Sequence, residues 1–185
     1  DRRQRQMCIR DRYYVKGYDV AVVDCDYPQF SLKDMRERDL KSIERNPHLR
    51  RAAYEQFKRL GKRAYPIVGS RPDHAVEAAR PFVESETPPD FVFFDLTGTV
   101  NNMGLIKTVA TMDYIFCPIA ADRFIMESSL KYAGILNDTL VTTGKSNIKG
   151  IRLLWNMVDR REKTDLYDIY EKVIAGMGPV SYTHL

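Results

Sequence analysis

Four short apolar runs constrain the fold of this chain more than any other feature of its sequence. Each run has four to six residues, is rich in β-branched or aromatic side chains, and is nearly continuous rather than alternating, which is typical of strands buried on both faces of a parallel sheet. The runs are Tyr18–Val23, Phe91–Phe94, Tyr114–Cys117 and Ile151–Trp155. A weaker run, Ala64–Val68, contains Pro66, which favours an edge strand or a loop.

Segments with helical periodicity separate the apolar runs. The predicted helices cover about 32–44, a segment ending near 60, then about 73–84, 103–111, 126–140 and 164–175. Ser31 is the expected N-cap of the first helix, Pro47 separates it from the second, and Gly61 ends the second. Strands that alternate with helices predict an α/β fold, with an open and mostly parallel sheet and right-handed crossovers.

Length and composition indicate one cytoplasmic domain. The chain has 185 residues, of which 44% are hydrophobic, enough for one core. No apolar run approaches the ~18 residues of a transmembrane helix, and no apolar stretch follows the basic N-terminus as it would in a signal peptide. Cys25 and Cys117 have no partner at metal-ligand spacing, which favours a reducing compartment.

Both ends of the chain differ from the rest. Residues 1–12 read DRRQRQMCIRDR and residues 180–185 read VSYTHL. The strings MCIRDR and VSYTHL are similar to translated sequencing-adapter sequence, so we expect two non-native tails around a single domain at residues 13–179. The first twelve residues hold five Arg and two Asp, which is +3 of the formal net charge of +4. The sequence pI of about 8.9 is therefore weak evidence for a nucleic-acid-binding surface.

Polar side chains stand where the strand-like runs end. Asp24 and Asp26 follow the first run, Asp95 follows Phe94, and Asn156 follows Trp155. Ligands of an open parallel sheet bind beyond the carboxyl ends of its strands, so we expect these side chains to share one edge. Clustered carboxylates repel one another unless a cation or hydrogen-bond donors offset them. Mg²⁺ fits, because it takes one or two carboxylates together with waters and phosphate oxygens.

The order of these residues resembles the ParA/MinD-type deviant Walker P-loop ATPases. Four blocks carry the resemblance: the DxDPQ signature of ParA proteins with Tyr27 inserted, the Walker B strand, the next strand, and the strand that ends near the adenine. In this chain they are, in that order, Val22–Gln29, Pro89–Asp95, Asp113–Ile119 and Ile151–Asp159. The resemblance spans about residues 13–179 and looks closest to ParA-like proteins of conjugative and other mobile elements. It implies a P-loop NTPase fold of the SIMIBI type with helices on both faces of the sheet.

The resemblance implies roles for the three carboxylates. Asp26 would lie in switch I and orient the water that attacks the γ-phosphate. Asp24 would support the magnesium shell, and Asp95, as the Walker B acid, would hold magnesium through a water. Asp26 and Asp95 are thus the expected catalytic residues, Asp24 and Asp95 the expected metal residues, and ATP and Mg²⁺ the expected cofactors.

The same resemblance implies further nucleotide contacts. Gly98 and Thr99 would belong to switch II near the γ-phosphate, where Gly98 lets a main-chain amide approach closely. Asn156 would hydrogen-bond the adenine edge, and Asp24 completes the expected cofactor-binding set. The chain departs from the family at Leu96-Thr97, where Thr-Pro or Pro-Pro is usual, and this weakens the match of switch II more than that of Walker B.

The phosphate-binding loop of the family has no counterpart in these residues. Only Tyr13–Gly17 precedes the DxD strand, and it is similar to the end of the first family helix with its glycine C-cap. Gly144-Lys145-Ser146 lacks the upstream glycine of a Walker loop and is expected to be a helix-ending turn. We therefore expect a fold that lacks its first strand and its P-loop. Such a chain should bind ATP poorly, hydrolyse essentially none and tend to aggregate.

The implied function of the parent protein is an ATP-dependent dimer switch for plasmid or mobile-element partition in the bacterial cytoplasm. Its expected partners are a second copy on ATP binding, nonspecific DNA and a ParB-like DNA-binding protein. A MinD-like membrane-positioning ATPase and a non-catalytic partner-binding module with the same fold are the alternatives. Outside the tails, His48 and His74 are expected on the surface, and Trp155 is expected in the core.

Overall fold

The computed structural model describes Asp11 and residues 13–96, 103–120, 122–155, 166–176 and 180–184. The strands are β1 Val20–Asp24, β2 Ile67–Gly69, β3 Phe91–Asp95, β4 Tyr114–Ile119, β5 Gly150–Trp155 and β6 Val180–His184. The helices are α1 Ser31–Arg45, α2 Pro47–Leu60, α3 Ala75–Val83, α4 Met103–Ala110, α5 Arg123–Leu136 and α6 Leu166–Ala175. A 3₁₀ turn, Pro72–His74, precedes α3, and a π-helical turn, Asn137–Val141, follows α5.

The described strands form two parallel sheets of three strands each, ordered β2-β1-β3 and β4-β5-β6. The chain divides into two compact units at about residue 97, so each sheet belongs to its own unit. The predicted α/β class with parallel pairing is confirmed. The single domain at residues 13–179 stays a prediction.

In the first unit, β1 is the central strand and is buried along its whole length. Alternate side chains enter two apolar clusters, because successive residues of a strand point to opposite faces. Val20 and Val22 pack with Leu32 of α1 and with Phe57 and Leu60 of α2. On the opposite face, Val23 packs in a cluster with two alanines of α3, Ala75 and Ala79. Helices therefore cover both faces of this sheet, as the sequence predicts.

A single residue, Asn46, joins α1 to α2. Its backbone is extended, and its N–H donates to Ser42 O (3.1 Å), which ends α1. Its side-chain Oδ1 accepts hydrogen bonds from the N–H groups of His48 (2.9 Å) and Leu49 (3.3 Å), which begins α2. Pro47 occupies the first position of α2, where a missing N–H costs nothing. Asn46 is thus the C-cap of one helix and the N-cap of the next.

In the second unit, β5 is the central strand, and Trp155 at its end is fully buried, as predicted. Gly144 has a positive φ of 66°, and its N–H donates to Val141 O (3.1 Å), so Gly144-Lys145-Ser146 follows a helical turn as predicted. Val180–His184 pairs with β5 as strand β6. The adapter-like origin of that segment, and of residues 1–12, stays a prediction.

Several boundaries differ from those read from the sequence. The N-cap of α1 is Phe30 rather than Ser31, and Ser31 is the first helical residue, so that prediction is wrong. The weak run 64–68 becomes a strand only after Pro66, at the sheet edge, since proline has no N–H to donate to a ladder.

Gly61 ends α2 with φ 63°, as predicted, and His48 and His74 are both exposed, also as predicted. No described helix is long and apolar enough to cross a membrane.

Candidate functional site

The carboxyl ends of β1 and β3 bring two of the predicted site residues together. Asp24 and Asp95 are direct partners in the parallel ladder, and Asp24 is also opposite Gly69 of β2. The N–H of Cys25 donates to Asp95 O (3.0 Å), and the N–H of Ser70 donates to Asp24 O (2.9 Å). The main chain at Asp24 is therefore held between both neighbouring strands, at the edge where parallel sheets bind ligands.

The Asp24 carboxylate is fully buried and caps helix α1. Its Oδ2 accepts hydrogen bonds from the N–H groups of Leu32 (2.9 Å) and Lys33 (3.0 Å). Its Oδ1 accepts from the N–H of Asp26 at 3.2 Å. The first turn of a helix has N–H groups without intrahelical partners and a partial positive charge, so a carboxylate is well placed there. Asp24 performs the capping that the sequence assigned to Ser31.

Asp26 is half-buried at the start of the loop that connects β1 to α1. Ser31 Oγ donates a hydrogen bond to Asp26 Oδ2 at 2.8 Å, and the N–H of Phe30 donates to Asp26 O at 2.8 Å. These contacts close the loop on itself and fix the position of the Asp26 carboxyl. The first helical residue, Ser31, therefore positions the side chain that the family resemblance places in switch I.

Phe30 fixes the same loop against the end of β2. Its backbone is left-handed, with φ 45° and ψ 50°, which costs a non-glycine residue about 1 kcal/mol. Its ring lies against Gly69, where a Cβ would come within 3.0 Å of Phe30 Cδ1. The Tyr27 ring meets the Phe30 ring edge-on at 5.7 Å, and the Arg71 guanidinium lies 5.8 Å from the Tyr27 ring centre. A Cβ at position 69 would therefore require the Phe30 ring to shift by a few tenths of an ångström.

Cys25 separates the two aspartates along the strand end and is fully buried. Burial, and to a smaller extent the charges of Asp24 and Asp95, raise the pKa of the Cys25 thiol to about 12. The carboxylates of Asp24 and Asp95 are therefore both close enough to the Cys25 thiol to affect its pKa. A neutral thiol is the stable form there, because a third negative charge would be both desolvated and repelled.

We expect Cys25 to react with iodoacetamide at least about 100-fold more slowly in the folded protein than in concentrated urea, at about pH 8. The measurement uses the double variant C8S/C117S, in which Cys25 is the remaining cysteine. Equal rates in the two conditions would contradict the buried position. The folded-state pKa is raised above the ordinary value of 9.0, so the stability from this group is present below pH 9.0 and is lost as the pH rises toward about 12.

The two aspartates differ as candidate magnesium residues. Asp24 is 0% exposed, and three N–H groups already donate to its carboxylate, so it does not fit the role of a ligand to hydrated Mg²⁺. Asp95 is partly exposed on the adjacent strand and does fit that role. Within the described ranges, no group of three or more His, Cys, Asp or Glu side chains could hold a metal ion. The metal roles of both residues stay predictions.

The remaining predicted residues, Gly98, Thr99 and Asn156, lie outside the described residues, and their roles stay predictions. Leu96, where the chain departs from the family, is described, and it packs against the apolar cluster beneath α3. Sequence reasoning missed Ser31 and Gly69 as parts of this site. A hydroxyl residue at a helix start and a glycine at a strand end were the available signals.

Comparisons with protein-family models, with curated proteins and with solved structures find no match for this chain.

Proposed function

We propose that this chain carries the magnesium-facing and switch side of a ParA-type ATP site. One observation carries the proposal: Asp24 and Asp95 are register partners on adjacent parallel strands, and Asp26 begins the loop beyond them. The edge formed by these residues is where an open parallel sheet binds nucleotides. The parallel strand pairing and the helices on both faces of the first sheet support the P-loop NTPase fold.

Each carboxylate has a distinct task in this proposal. Asp95 would hold Mg²⁺ through a water, and bound Mg²⁺ would neutralise charge on the transferred phosphoryl group. Asp26, held by Ser31 Oγ, would orient the attacking water. Asp24 would have a structural role, because the hydrogen bonds that it accepts from α1 hold the loop that carries Asp26. Phosphoryl transfer asks mainly for positioning and charge neutralisation, and these residues supply both.

The proposal extends to the biology that the resemblance implies. ATP would join two subunits, the dimer would bind DNA without sequence preference, and a ParB-like protein would stimulate hydrolysis. The site of action would be the bacterial cytoplasm, and the cargo would be a plasmid or another mobile element.

The 185 residues contain no glycine-rich loop with a Walker lysine, so we expect them to bind Mg-ATP weakly and to hydrolyse essentially none. Isothermal titration with Mg-ATP and a phosphate-release assay measure the two quantities. Tight binding by this chain would contradict the requirement for a separate phosphate cradle.

The family assignment is tested by the coding sequence upstream of Tyr13, where a Gly-Gly-x-Gly-Lys-Ser/Thr loop is expected. In the product of that longer reading frame, Asp95→Asn and Asp26→Asn should each lower ATP hydrolysis by roughly 100-fold or more. The matched control is Glu86→Gln, which makes the same kind of change on an exposed loop and should leave hydrolysis unchanged. A reading frame without the loop, or full activity of both aspartate variants, would refute the proposal.

A second candidate is a non-catalytic module that keeps the fold and binds a partner protein. Two observations favour it: the buried Asp24 carboxylate caps α1, and the chain has Leu96-Thr97 where Thr-Pro or Pro-Pro is usual in the family. If the longer product binds Mg-ATP but hydrolyses none, the module is the better description.

A further inference from the structure

Arg71 lies at the same carboxyl-end edge of the first sheet as the site aspartates. β2 ends at Gly69, which is opposite Asp24 in the ladder, and the N–H of Ser70 donates to Asp24 O at 2.9 Å. The carbonyl oxygen of Arg71 accepts hydrogen bonds from Ser70 Oγ (3.1 Å) and from the N–H of His74 (3.0 Å). The main chain of Arg71 is therefore fixed two residues beyond the strand position that faces Asp24.

Aromatic contacts hold the Arg71 side chain beside the loop that carries Asp26. The guanidinium lies 5.8 Å from the ring centre of Tyr27, which is the residue that follows Asp26. A cation at that distance is attracted by the ring. The Tyr27 ring meets the Phe30 ring edge-on, and the Phe30 ring lies against Gly69. These contacts join the ends of β1 and β2 and restrict the position of the guanidinium.

The Arg71 guanidinium keeps hydrogen-bond donors available for a ligand. Its Nε lies 3.4 Å from Asp73 Oδ1, which is longer than the roughly 2.7–2.9 Å of a charge-assisted hydrogen bond. The side chain is 61% exposed, and no acceptor in the described part of the chain is bonded to its terminal Nη groups. Arginine has five N–H donors, so the contact with Asp73 leaves four of them for other partners.

Arg80 is a surface arginine of the same unit with which Arg71 can be compared. Its side chain is also 61% exposed, and its Nε lies 3.7 Å from Glu84 Oε1. Exposed ion pairs of this kind contribute little to stability. Arg80 lies in the second half of α3, whereas Arg71 lies just beyond a strand end and contacts the ring of a neighbouring loop. The two arginines therefore differ in position and not in exposure or ion pairing.

An anionic ligand at this edge requires a cation from the protein. Three N–H groups compensate the Asp24 carboxylate, but Asp26 and Asp95 add negative charge beside it. A polyphosphate that approaches these carboxylates is repelled unless positive charge offsets them, and one Mg²⁺ offsets only a part. A guanidinium is suited to supply the rest, because its planar fork can donate to two phosphate oxygens at once.

We propose that Arg71 is a phosphate-binding residue of this edge, and that its Nη groups donate to the polyphosphate of a nucleotide. Tyr27, the residue inserted into the DxDPQ signature, would be a positioning residue that holds the guanidinium near Asp26. Asp73 contacts Nε alone and so does not occupy the terminal donors. The inference rests on the proposed function, because the nucleotide would be the ATP on which Asp26 and Asp95 act.

The test measures how fast phenylglyoxal, which modifies accessible arginines, reacts with the full 185-residue chain. Mass spectrometry of proteolytic fragments follows Arg71 and Arg80 in the same sample, so the equally exposed Arg80 is an internal control. Millimolar sodium tripolyphosphate should slow modification of Arg71 at least about fivefold and leave Arg80 unchanged. Sodium chloride at the same ionic strength should protect neither arginine. Equal slowing at both arginines, or no slowing at Arg71, overturns the proposal.

The same assay identifies the source of the phosphate and tests the role of Tyr27. ATP and tripolyphosphate should protect Arg71 at concentrations at least about tenfold lower than orthophosphate does, because they carry more charge. Orthophosphate that protects as well as they do would make this a site for free phosphate and overturn the assignment to a nucleotide. Tyr27→Leu should reduce the protection at least about twofold, and Tyr27→Phe, which keeps the ring, should retain it. Equal protection in these two variants would overturn the positioning role.

The product of the longer reading frame separates this inference from the proposed function. There, Arg71→Ala should raise the KM for ATP at least about tenfold, Arg71→Lys should raise it less, and Arg80→Ala should leave it unchanged. Hydrolysis that is lost in Asp95→Asn but has the original KM in Arg71→Ala would overturn this inference and keep the proposed function. A longer product without hydrolysis would refute the proposed function, while selective protection of Arg71 would still establish the phosphate site.

Discussion

Replacing Asp24 with Ala is expected to lower the free energy of unfolding by about 3 kcal/mol or more, as measured by urea denaturation. The carboxylate is fully buried, and three N–H groups donate to it. Removing it leaves two N–H groups of the first turn of α1 without an acceptor in an apolar surrounding. Each hydrogen bond to a charged group contributes about 1.5–3 kcal/mol, and the cost of an unsatisfied buried donor is of similar size.

Two other substitutions calibrate this result. Asp24→Asn keeps one acceptor oxygen and should cost less than Asp24→Ala. Asp26→Ala removes a half-buried side chain with a hydrogen bond to Ser31 and should cost about 1 kcal/mol. A loss at Asp24 no larger than the loss at Asp26 would show that α1 does not depend on this cap.

Proline at position 93 should cost about 3 kcal/mol or more, whereas proline at position 92 should be tolerated. The N–H of Phe91 donates to Asp19 O at 3.1 Å, so alternation along a strand directs the N–H of Phe93 toward β1 and that of Val92 toward the other edge. Phe93→Pro removes a ladder hydrogen bond and a ring that packs against Tyr13. Val92→Pro removes an N–H group that donates to no described strand.

The same pair of variants tests the predicted tendency to aggregate. An edge strand with unpaired N–H and C=O groups is a template for pairing with another chain, and β3 presents such an edge within the described residues. Val92→Pro should slow the rise of light scattering at a protein concentration where the original chain aggregates. Faster aggregation of Val92→Pro, with stability unchanged, would mean that the β3 edge is not the surface involved.

Hydrophobic pattern was sufficient to predict the central strand of each sheet and one strand beside it. The runs around Val22, Phe93 and Leu153 are short, apolar and near-continuous, and each became a strand in a parallel ladder. Proline and glycine placed the breaks at Pro47 and Gly61 correctly, because their backbone restrictions act locally. Strand pairing partners and register required the structure, since they depend on contacts between residues far apart in the chain.

The candidate site was predicted in outline and not in its internal hydrogen bonds. Parallel strands end at one edge, so the strand pattern predicts that Asp24 and Asp95 share that edge, and the structure makes them direct partners. The cap of α1 was assigned to Ser31 because sequence rules look to the residue next to a helix. The actual acceptor, Asp24, lies eight residues before Leu32 and reaches the helix only because the loop folds back. A side chain that the pattern marks as a ligand therefore has a structural task that only three-dimensional contacts reveal.

Because Asn46 caps both α1 and α2, the connection between these helices is fixed at one residue. Each residue of a helix advances the next by about 100° around the axis, so one residue added between Asn46 and Phe57 would rotate the start of α2 by that angle relative to its packed end. The cap at Asn46 would then no longer coincide with the orientation that buries Phe57 and Leu60. We therefore expect related chains to differ in the side chains of α1 and α2 but to have neither insertions nor deletions between the two helices.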